Sequence, residues 1–214
     1  MLWLFPWTIR RIILNRLFGY KISQQARIGY SIVIPGKLEM LAGARIGHLT
    51  MCKNINLLRM GVSSHLGNFN WISAFPSWNK SSFIHRSNRD TSLIIGDHTA
   101  ITHRHLIDCT DKITIGDFST IAGNHSYLLT HSIDILESRQ DCKPIQIGSY
   151  CLVGTTSVLL PGSSLGDYCV LGANSLLNKS YTERYCLYGG VPAVMIKEIP
   201  KDAKYFTRKT GYVN

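Results

Sequence analysis

The most constraining feature of this sequence is an aliphatic residue that recurs every six positions through its C-terminal half. The clearest run consists of Ile147, Val153, Leu159, Leu165, Leu171 and Leu177. Earlier runs consist of Ile28, Ile34, Met40, Ile46 and Cys52, then Ile95, Ile101 and Ile107, and then, shifted by two residues, Ile115 and Ile121. A short fixed period indicates a solenoid, and a six-residue period with one aliphatic anchor is typical of a β-helix.

The length and composition of the chain fit one domain with small appendages. It has 214 residues, of which 45% are hydrophobic and 17% are charged, so a packed core is expected and disorder is not. Its six cysteines include no C-x-x-C pair, so neither a disulfide framework nor a metal site is predicted. We therefore expect a cytoplasmic protein, with peripheral attachment at the inner membrane as an open alternative.

Positive charge is concentrated near both ends of the chain. The formal net charge is +10, and no acidic residue precedes Glu39. The basic residues of that first stretch are Arg10, Arg11, Arg16, Lys21, Arg27 and Lys37. This distribution predicts an anionic partner, either a membrane surface or a phosphate-bearing ligand. Nucleic acid is not expected, because no known nucleic-acid-reading motif accompanies the charge.

Residues 1–22 are predicted to contain a short amphipathic helix. Its apolar residues at helical spacing are Ile9, Ile12, Ile13 and Leu17. The polar residues, which lie mostly on the opposite side of the predicted helix, are Arg10, Arg11, Asn15 and Arg16. The arginines interrupt it well before the ~20 apolar residues of a membrane span. The helix can cover the open first coil of the solenoid, or it can lie on anionic lipid with Trp3, Phe5 and Trp7 at the interface. These two interpretations are compatible.

The solenoid is predicted to occupy residues 23–190, followed by a basic tail over 191–214. Two segments interrupt the six-residue period, near 68–89 and near 126–144, and we interpret both as loops. Long loops in compact domains are often functional. The second loop contains His131, within Thr130-His131-Ser132-Ile133-Asp134, and directly precedes the clearest repeat block.

Three features in order resemble the left-handed β-helix acyltransferases, also called the hexapeptide-repeat transferase family. They are His131 in its loop, the 147–177 block with Pro161-Gly162, and the closing Gly190-Val191-Pro192-Ala193. The resemblance covers roughly residues 95–199 and looks nearest to the galactoside and maltose acetyltransferases and the polysaccharide O-acetyltransferases. It implies an all-β, left-handed parallel β-helix with a short N-terminal helix and a short C-terminal helical tail. In such a fold the coils of each subunit stack into a three-sided prism. The resemblance also implies a homotrimer that takes acetyl-CoA as a co-substrate between the prisms of neighbouring subunits and holds no tightly bound cofactor.

The resemblance also assigns roles to individual residues. His131 would act as general base on a saccharide hydroxyl, because imidazole accepts protons near neutral pH. The backbone N–H of Thr155, after Gly154, would stabilise the oxyanion. The residues implied to contact acetyl-CoA are Gly154, Thr155, Gly172, Lys179, Gly190, Pro192, Ala193 and Lys197. The two lysines are equally compatible with a solvated basic surface.

Acceptor binding is assigned to His125, Asp134 and Arg139, although His125 also fits a structural corner position. Asp134, Glu137 or a backbone carbonyl would orient the imidazole. The expected activity is O-acetylation of a saccharide of capsule, lipopolysaccharide or exopolysaccharide. Three alternatives stay open: an N-acyltransferase acting on an amino sugar or nucleotide sugar, a non-catalytic solenoid, and a zinc carbonic anhydrase. The last would draw its ligands from His98, His103, His105, His125 and His131.

Overall fold

The chain forms a left-handed parallel β-helix in a computed structural model that describes residues 5–76, 81–211 and 213. Helix α1 (Trp7–Leu17) precedes the first coil, and helix α2 (Lys204–Thr207) follows the last one. Each coil contributes one strand to each of three parallel sheets. The predicted fold class, with its short helices at both ends, is confirmed.

The strands follow one another coil by coil along the chain. The first three coils contain β1 (Lys21–Ile22), β2 (Arg27–Ile28), β3 (Ile32–Ile34), β4 (Lys37–Met40), β5 (Arg45–Ile46), β6 (Met51–Lys53), β7 (Leu57–Met60), β8 (His65–Leu66) and β9 (Trp71–Ser73). The next two contain β10 (Ser92–Ile95), β11 (Ala100–Ile101), β12 (Leu106–Asp108), β13 (Ile113–Ile115), β14 (Thr120–Ile121) and β15 (Tyr127–Leu129). A hairpin of β16 (His131–Asp134) and β17 (Arg139–Cys142) follows. The remaining strands are β18 (Ile145–Ile147), β19 (Leu152–Val153), β20 (Val158–Leu159), β21 (Ser164–Leu165), β22 (Val170–Leu171), β23 (Leu176–Leu177), β24 (Ser180–Tyr181), β25 (Cys186–Gly189) and β26 (Val194–Glu198).

The first, second and third strands of successive coils form sheet 1, sheet 2 and sheet 3 respectively. Their parallel register places each aliphatic anchor directly on the anchor of the next coil. In sheet 3, for example, Ile107 pairs with Ile72 on one side and Leu128 on the other. The six anchors of the 147–177 run are at most 2% exposed, so the predicted inward face is confirmed for this run. In the first run the prediction for Ile34 was wrong, because the neighbouring Val33 points inward and Ile34 is exposed. All six cysteines are buried and free, and five of them belong to the core inside the coils, while Cys142 lies on the hairpin.

Glycine at a corner allows neighbouring coils to approach closely. Parallel strands stack about 4.8 Å apart, and a Cβ added at Gly116 would lie 2.6 Å from the backbone nitrogen of Ser149 in the next coil. By contrast, a Cβ at Gly172 would meet nothing nearer than 3.5 Å. Glycine is therefore a packing requirement at Gly116 but not at Gly172.

Two segments leave the coils. Strands β9 and β15 end at Ser73 and Leu129, so the excursions run from residue 74 to 91, with 77–80 outside the described residues, and from 130 to 144. The first contains a 3-10 helix (Ser81–Phe83), and the second contains the β16–β17 hairpin. Both leave from the end of a sheet 3 strand and therefore lie at the same corner of the prism.

The C-terminal tail packs along the corner between sheets 1 and 2. A ladder of stacked rings runs up this corner through His98, Phe118, Tyr150, Tyr168 and Tyr185, with centroid separations of 4.7–5.2 Å. Phe206 of α2 is buried edge-on against Tyr168 and Tyr185. The Arg208 guanidinium lies 5.5 Å from the Tyr150 ring and donates to the carbonyl of Phe118. Within the described part of the chain, no helix is long and apolar enough to cross a membrane.

Replacing Gly116 with alanine should lower the free energy of unfolding by about 1–3 kcal/mol, because overpacking against backbone cannot be relieved by a rotamer change. The matched Gly172→Ala variant should lie within about 0.5 kcal/mol of the native protein. Urea denaturation of the two variants measures the difference. Equal destabilisation of both would contradict the packing explanation.

Candidate active site

His131 stands where the chain leaves the fifth coil. It is the first residue of β16, and its side chain is 32% exposed. The residue before it is anchored to the coil below, since the hydroxyl of Thr130 donates to the carbonyl oxygen of Asp108 at 2.7 Å. The imidazole is therefore fixed at its base and still accessible from outside.

Asp108 is the residue that orients this imidazole. It ends β12, one coil below His131, and is only 7% exposed. Its Oδ2 contacts Nδ1 of His131, while its Oδ1 accepts from the backbone N–H and the hydroxyl of Thr110 at 3.0 and 2.6 Å. A carboxylate held in this way favours the tautomer with the proton on Nδ1. Nε2 of His131 is then the nitrogen that can accept a proton.

The two acidic residues that sequence reasoning suggested for this task lie elsewhere. Asp134 is 3.8 Å from Arg139, and its Oδ1 accepts from the backbone N–H groups of Leu136 and Glu137 in the hairpin turn. Glu137 is exposed in the same turn. Asp108 was missed, although the parallel register pairs it with Leu129, two residues before His131.

A cleft with a volume of about 430 Å³ opens in front of the His131 imidazole. Its lining includes Trp71, Phe75, Pro76, Leu106 and Leu129, with Asp108 and His131 as its titratable side chains. The Phe75 ring meets the imidazole edge-on, with centroids 5.1 Å apart. A mainly apolar cleft with a few fixed polar groups is typical of a small-molecule site.

The two excursions hold each other in place around this cleft. Arg86 in the first donates to both carboxylate oxygens of Asp141 in the hairpin, at 2.6 and 2.8 Å, and Nε2 of His85 is 3.1 Å away. Arg89 donates to the carbonyls of Phe75 and Pro76 at 2.6 and 2.8 Å. The wall of the cleft is therefore cross-linked to the strand that follows His131 rather than left as a free loop.

Thr155 lies at the opposite end of the sheet 3 strands, in the turn between β19 and β20. A ladder of side-chain acceptors runs up this corner. Backbone N–H groups of Tyr30, His48, Asn68 and Asn124 donate to the side chains of His48, Asn68, His103 and Thr155 respectively, at 2.7–3.1 Å. The residue stacked above Thr155 is Ala173, which has no side-chain acceptor. Among the described residues, the Thr155 N–H accordingly has no hydrogen-bond acceptor.

Most of the residues predicted to contact acetyl-CoA lie along this same corner. Gly154, Gly172 and Gly190 directly follow β19, β22 and β25 in three successive coils. Pro192 is exposed just beyond them, and Lys197 is exposed on β26, opposite Leu187. Ala193 is buried, with its carbonyl accepting from the Tyr181 hydroxyl at 2.6 Å. Lys179 lies apart from this set, at the corner between sheets 3 and 1.

The remaining predicted residues lie in four different parts of the structure. His125 is exposed at the Thr155 corner, with Nδ1 2.9 Å from the side-chain oxygen of Asn124. Arg139 pairs with Asp134 on the hairpin. His105 is buried, with its ring nitrogens near the Thr102 hydroxyl and the Ser126 N–H, and burial lowers its pKa to about 4. His98 belongs to the aromatic ladder.

One chain does not bring His131 and Thr155 together. Strand β15 lies between their corners, and three extended residues alone span about 10 Å. Any reaction that uses both groups at one centre must therefore take one of them from a second copy of the chain.

Solved structures with the same fold include two acetyltransferases, and no family model matches the sequence. A hexapeptide-repeat-containing acetyltransferase from Vibrio cholerae is 20% identical, with a TM-score of 0.50 over 93% of this chain and 87% of that chain. The polySia-specific acetyltransferase NeuO is 18% identical, with a TM-score of 0.54 over 84% of this chain and 86% of that chain. At these identities the similarity establishes the fold: this chain is a hexapeptide-type left-handed β-helix.

Asp141→Asn should reduce the amount by which the free energy of unfolding falls at acid pH. The Arg86 guanidinium holds the pKa of Asp141 well below its usual range. A carboxylate with a depressed folded-state pKa stabilises the protein above its unfolded value of about 4, and this contribution is lost as the pH falls further. Urea denaturation between about pH 5 and pH 2 should therefore show a steeper loss in the native protein than in the variant.

Asp134→Asn is the matched control, because that carboxylate is 3.8 Å from its arginine and does not join the two excursions. It should keep the native pH dependence. An Asp141→Asn protein as acid-sensitive as the native one would contradict the proposed cross-link.

Proposed function

We propose that this protein transfers an acetyl group from acetyl-CoA to a hydroxyl group of a saccharide. The observation that carries the proposal is the His131–Asp108 pair, whose imidazole lines a mainly apolar cleft. The fold is shared with acetyltransferases, one of which is specific for polySia, and this supports a saccharide acceptor. We place the reaction in the cytoplasm, and surface-polysaccharide assembly is the role that we propose for it.

The chemistry needs one base and one oxyanion donor. Nε2 of His131 accepts the hydroxyl proton while the hydroxyl oxygen attacks the thioester carbonyl carbon. The tetrahedral intermediate then collapses, the C–S bond breaks, and the imidazolium returns the proton to the departing thiolate of CoA. Asp108 stabilises the transient imidazolium through Nδ1, and no covalent enzyme intermediate forms.

The free N–H of Thr155 is the oxyanion donor in this proposal, supplied by a neighbouring subunit. Ring-shaped assemblies have heterologous interfaces, so one end of a sheet can meet the opposite end of the next copy. An outward-facing row along sheet 3 supports such packing, because it is apolar in seven successive coils. This row consists of Ile32, Met51, Trp71, Leu106, Tyr127, Val158 and Leu176. We propose a homotrimer in which it is covered.

Acetyl-CoA would then lie along the corner formed by Gly154, Gly172 and Gly190. These positions have no side chain, so the pantetheine arm can approach the backbone closely. Beyond them, Lys197 is exposed on β26 and is our candidate for a phosphate contact. The acceptor saccharide would occupy the cleft on the other side of His131, against Trp71 and Phe75.

His131→Ala should lower kcat by about 10²–10⁴-fold, the usual contribution of a positioned general base. Asp108→Asn should lower kcat by a comparable factor, because it removes the preference for the reactive tautomer. The assay combines labelled acetyl-CoA with a panel of saccharides and amino sugars, and product analysis separates O-acetyl from N-acetyl linkages.

Glu137→Gln is the control for Asp108→Asn, and it should keep native turnover. Full activity of His131→Ala would sink the proposed mechanism. Exclusive labelling of amino sugars at nitrogen would replace O-acetylation with N-acetylation.

Ala173→Thr should lower kcat by up to about 10²–10³-fold, the effect of losing one oxyanion donor. A threonine hydroxyl here would accept from the Thr155 N–H, just as the Thr155 hydroxyl accepts from Asn124 at 3.1 Å. The isosteric Ala173→Val variant adds the same bulk without an acceptor and should stay within a few fold of native turnover. Equal losses in both variants would show that bulk, and not the occupied N–H, is responsible.

A further inference from the structure

Helix α1 packs on the first coil through Trp7 and Leu14 together with the polar side chains of Arg10 and Asn15, and not through its exposed isoleucines. Arg10 is buried, and its guanidinium donates to the carbonyl of Gly29 at 3.0 Å. The Asn15 amide accepts from the N–H of Ile22 at 3.0 Å and donates to its carbonyl at 3.1 Å. The first coil has no coil before it, so its backbone groups would otherwise be unpaired. Arg10 and Asn15 satisfy the carbonyl of Gly29 and both backbone groups of Ile22.

This packing leaves the apolar face of the helix on the outside. We define the apolar stripe as Phe5, Ile9, Ile12, Leu17 and Phe18, which are 42–77% exposed. No described residue covers it. Contiguous exposed apolar surface of this kind marks an interaction site. Trp7 packs inward against the core, contrary to its predicted place at a lipid interface, whereas Trp3 lies outside the described residues.

The apolar stripe carries one exposed arginine, and the first two coils carry others. Arg16 is exposed on the same face, one turn after Ile12, and Arg27 and Arg45 are neighbours on the outer surface of the first two coils. Lys21 forms an ion pair with Glu39 at 3.2 Å, and no acidic residue precedes Glu39 in the chain. A second copy seated on the stripe would bring these arginines towards each other, which favours an anionic partner over self-association.

We propose that the outer face of α1 is a docking surface for an anionic phospholipid bilayer. The helix lies parallel to the membrane, with the apolar stripe at the boundary between headgroups and acyl chains and Arg16 near the lipid phosphates. The inward-facing Arg10 and Asn15 attach the helix to the prism, so the docking surface is rigidly coupled to the solenoid. This inference does not depend on the proposed acetyl transfer.

Co-sedimentation of the full-length protein with vesicles tests the proposal. Binding to phosphatidylcholine vesicles containing about one third phosphatidylglycerol should exceed binding to pure phosphatidylcholine and should fall as salt is raised. The double variant Ile9→Ser/Ile12→Ser should reduce the partition coefficient at least about 10-fold. Arg16→Gln should weaken binding and reduce its salt dependence.

The matched control is Ile133→Ser/Ile135→Ser, which removes two even more exposed isoleucines from the hairpin and should bind vesicles like the native protein. Thermal melting of each variant checks that the fold is retained. Equal binding by the native protein and the Ile9→Ser/Ile12→Ser variant would overturn the proposal. Failure of the native protein to bind vesicles would also overturn it. If sedimentation without vesicles then showed that the native protein self-associates and the Ile9→Ser/Ile12→Ser variant does not, the partner of the stripe would be a second copy of the chain.

Discussion

The structure depends on the register between successive coils. Each aliphatic anchor can be buried only if the next coil places its own anchor directly above, and parallel hydrogen bonding enforces this alignment strand by strand. The same alignment produces the ordered rows on the outside of the prism, including the apolar row of sheet 3 and the stacked rings beside the C-terminal tail. A single packing rule thus arranges both the core and the surfaces.

The proposed function depends on the places where this rule is broken. Two excursions leave the same corner of the prism and are joined by the Arg86–Asp141 ion pair, and between them they enclose His131. At the opposite corner, Ala173 offers the Thr155 N–H no side-chain acceptor of the kind that serves Tyr30, His48, Asn68 and Asn124 in other coils. A rigid solenoid therefore presents an imidazole at one edge of a sheet and an unpaired N–H at the other.

Much of this could be predicted from the sequence, because the six-residue period reports directly on the inward face. Anchors such as Leu159 and Leu171 are buried as expected, and the loop that contains His131 is an excursion from the coils. Asp108 could not be found from the local sequence pattern, because it is 23 residues before His131 in the chain. The two residues meet only because the coil between them brings the end of β15 next to the end of β12. The inward face of α1 was equally hidden, because helical periodicity separates Ile9 from Arg10 but does not show that the open coil offers backbone hydrogen bonds as well as an apolar surface.

The tail that follows the last coil has a consequence for how this solenoid comes apart. Repeat proteins generally fray from their ends, because each terminal unit has only one neighbour. Here Phe206 is wedged against the rings of Tyr168 and Tyr185, while Arg208 reaches back to the carbonyl of Phe118, several coils lower. The tail thus connects the last coils to the middle of the prism along its length. The last coils can therefore unfold only after the tail has detached from the prism.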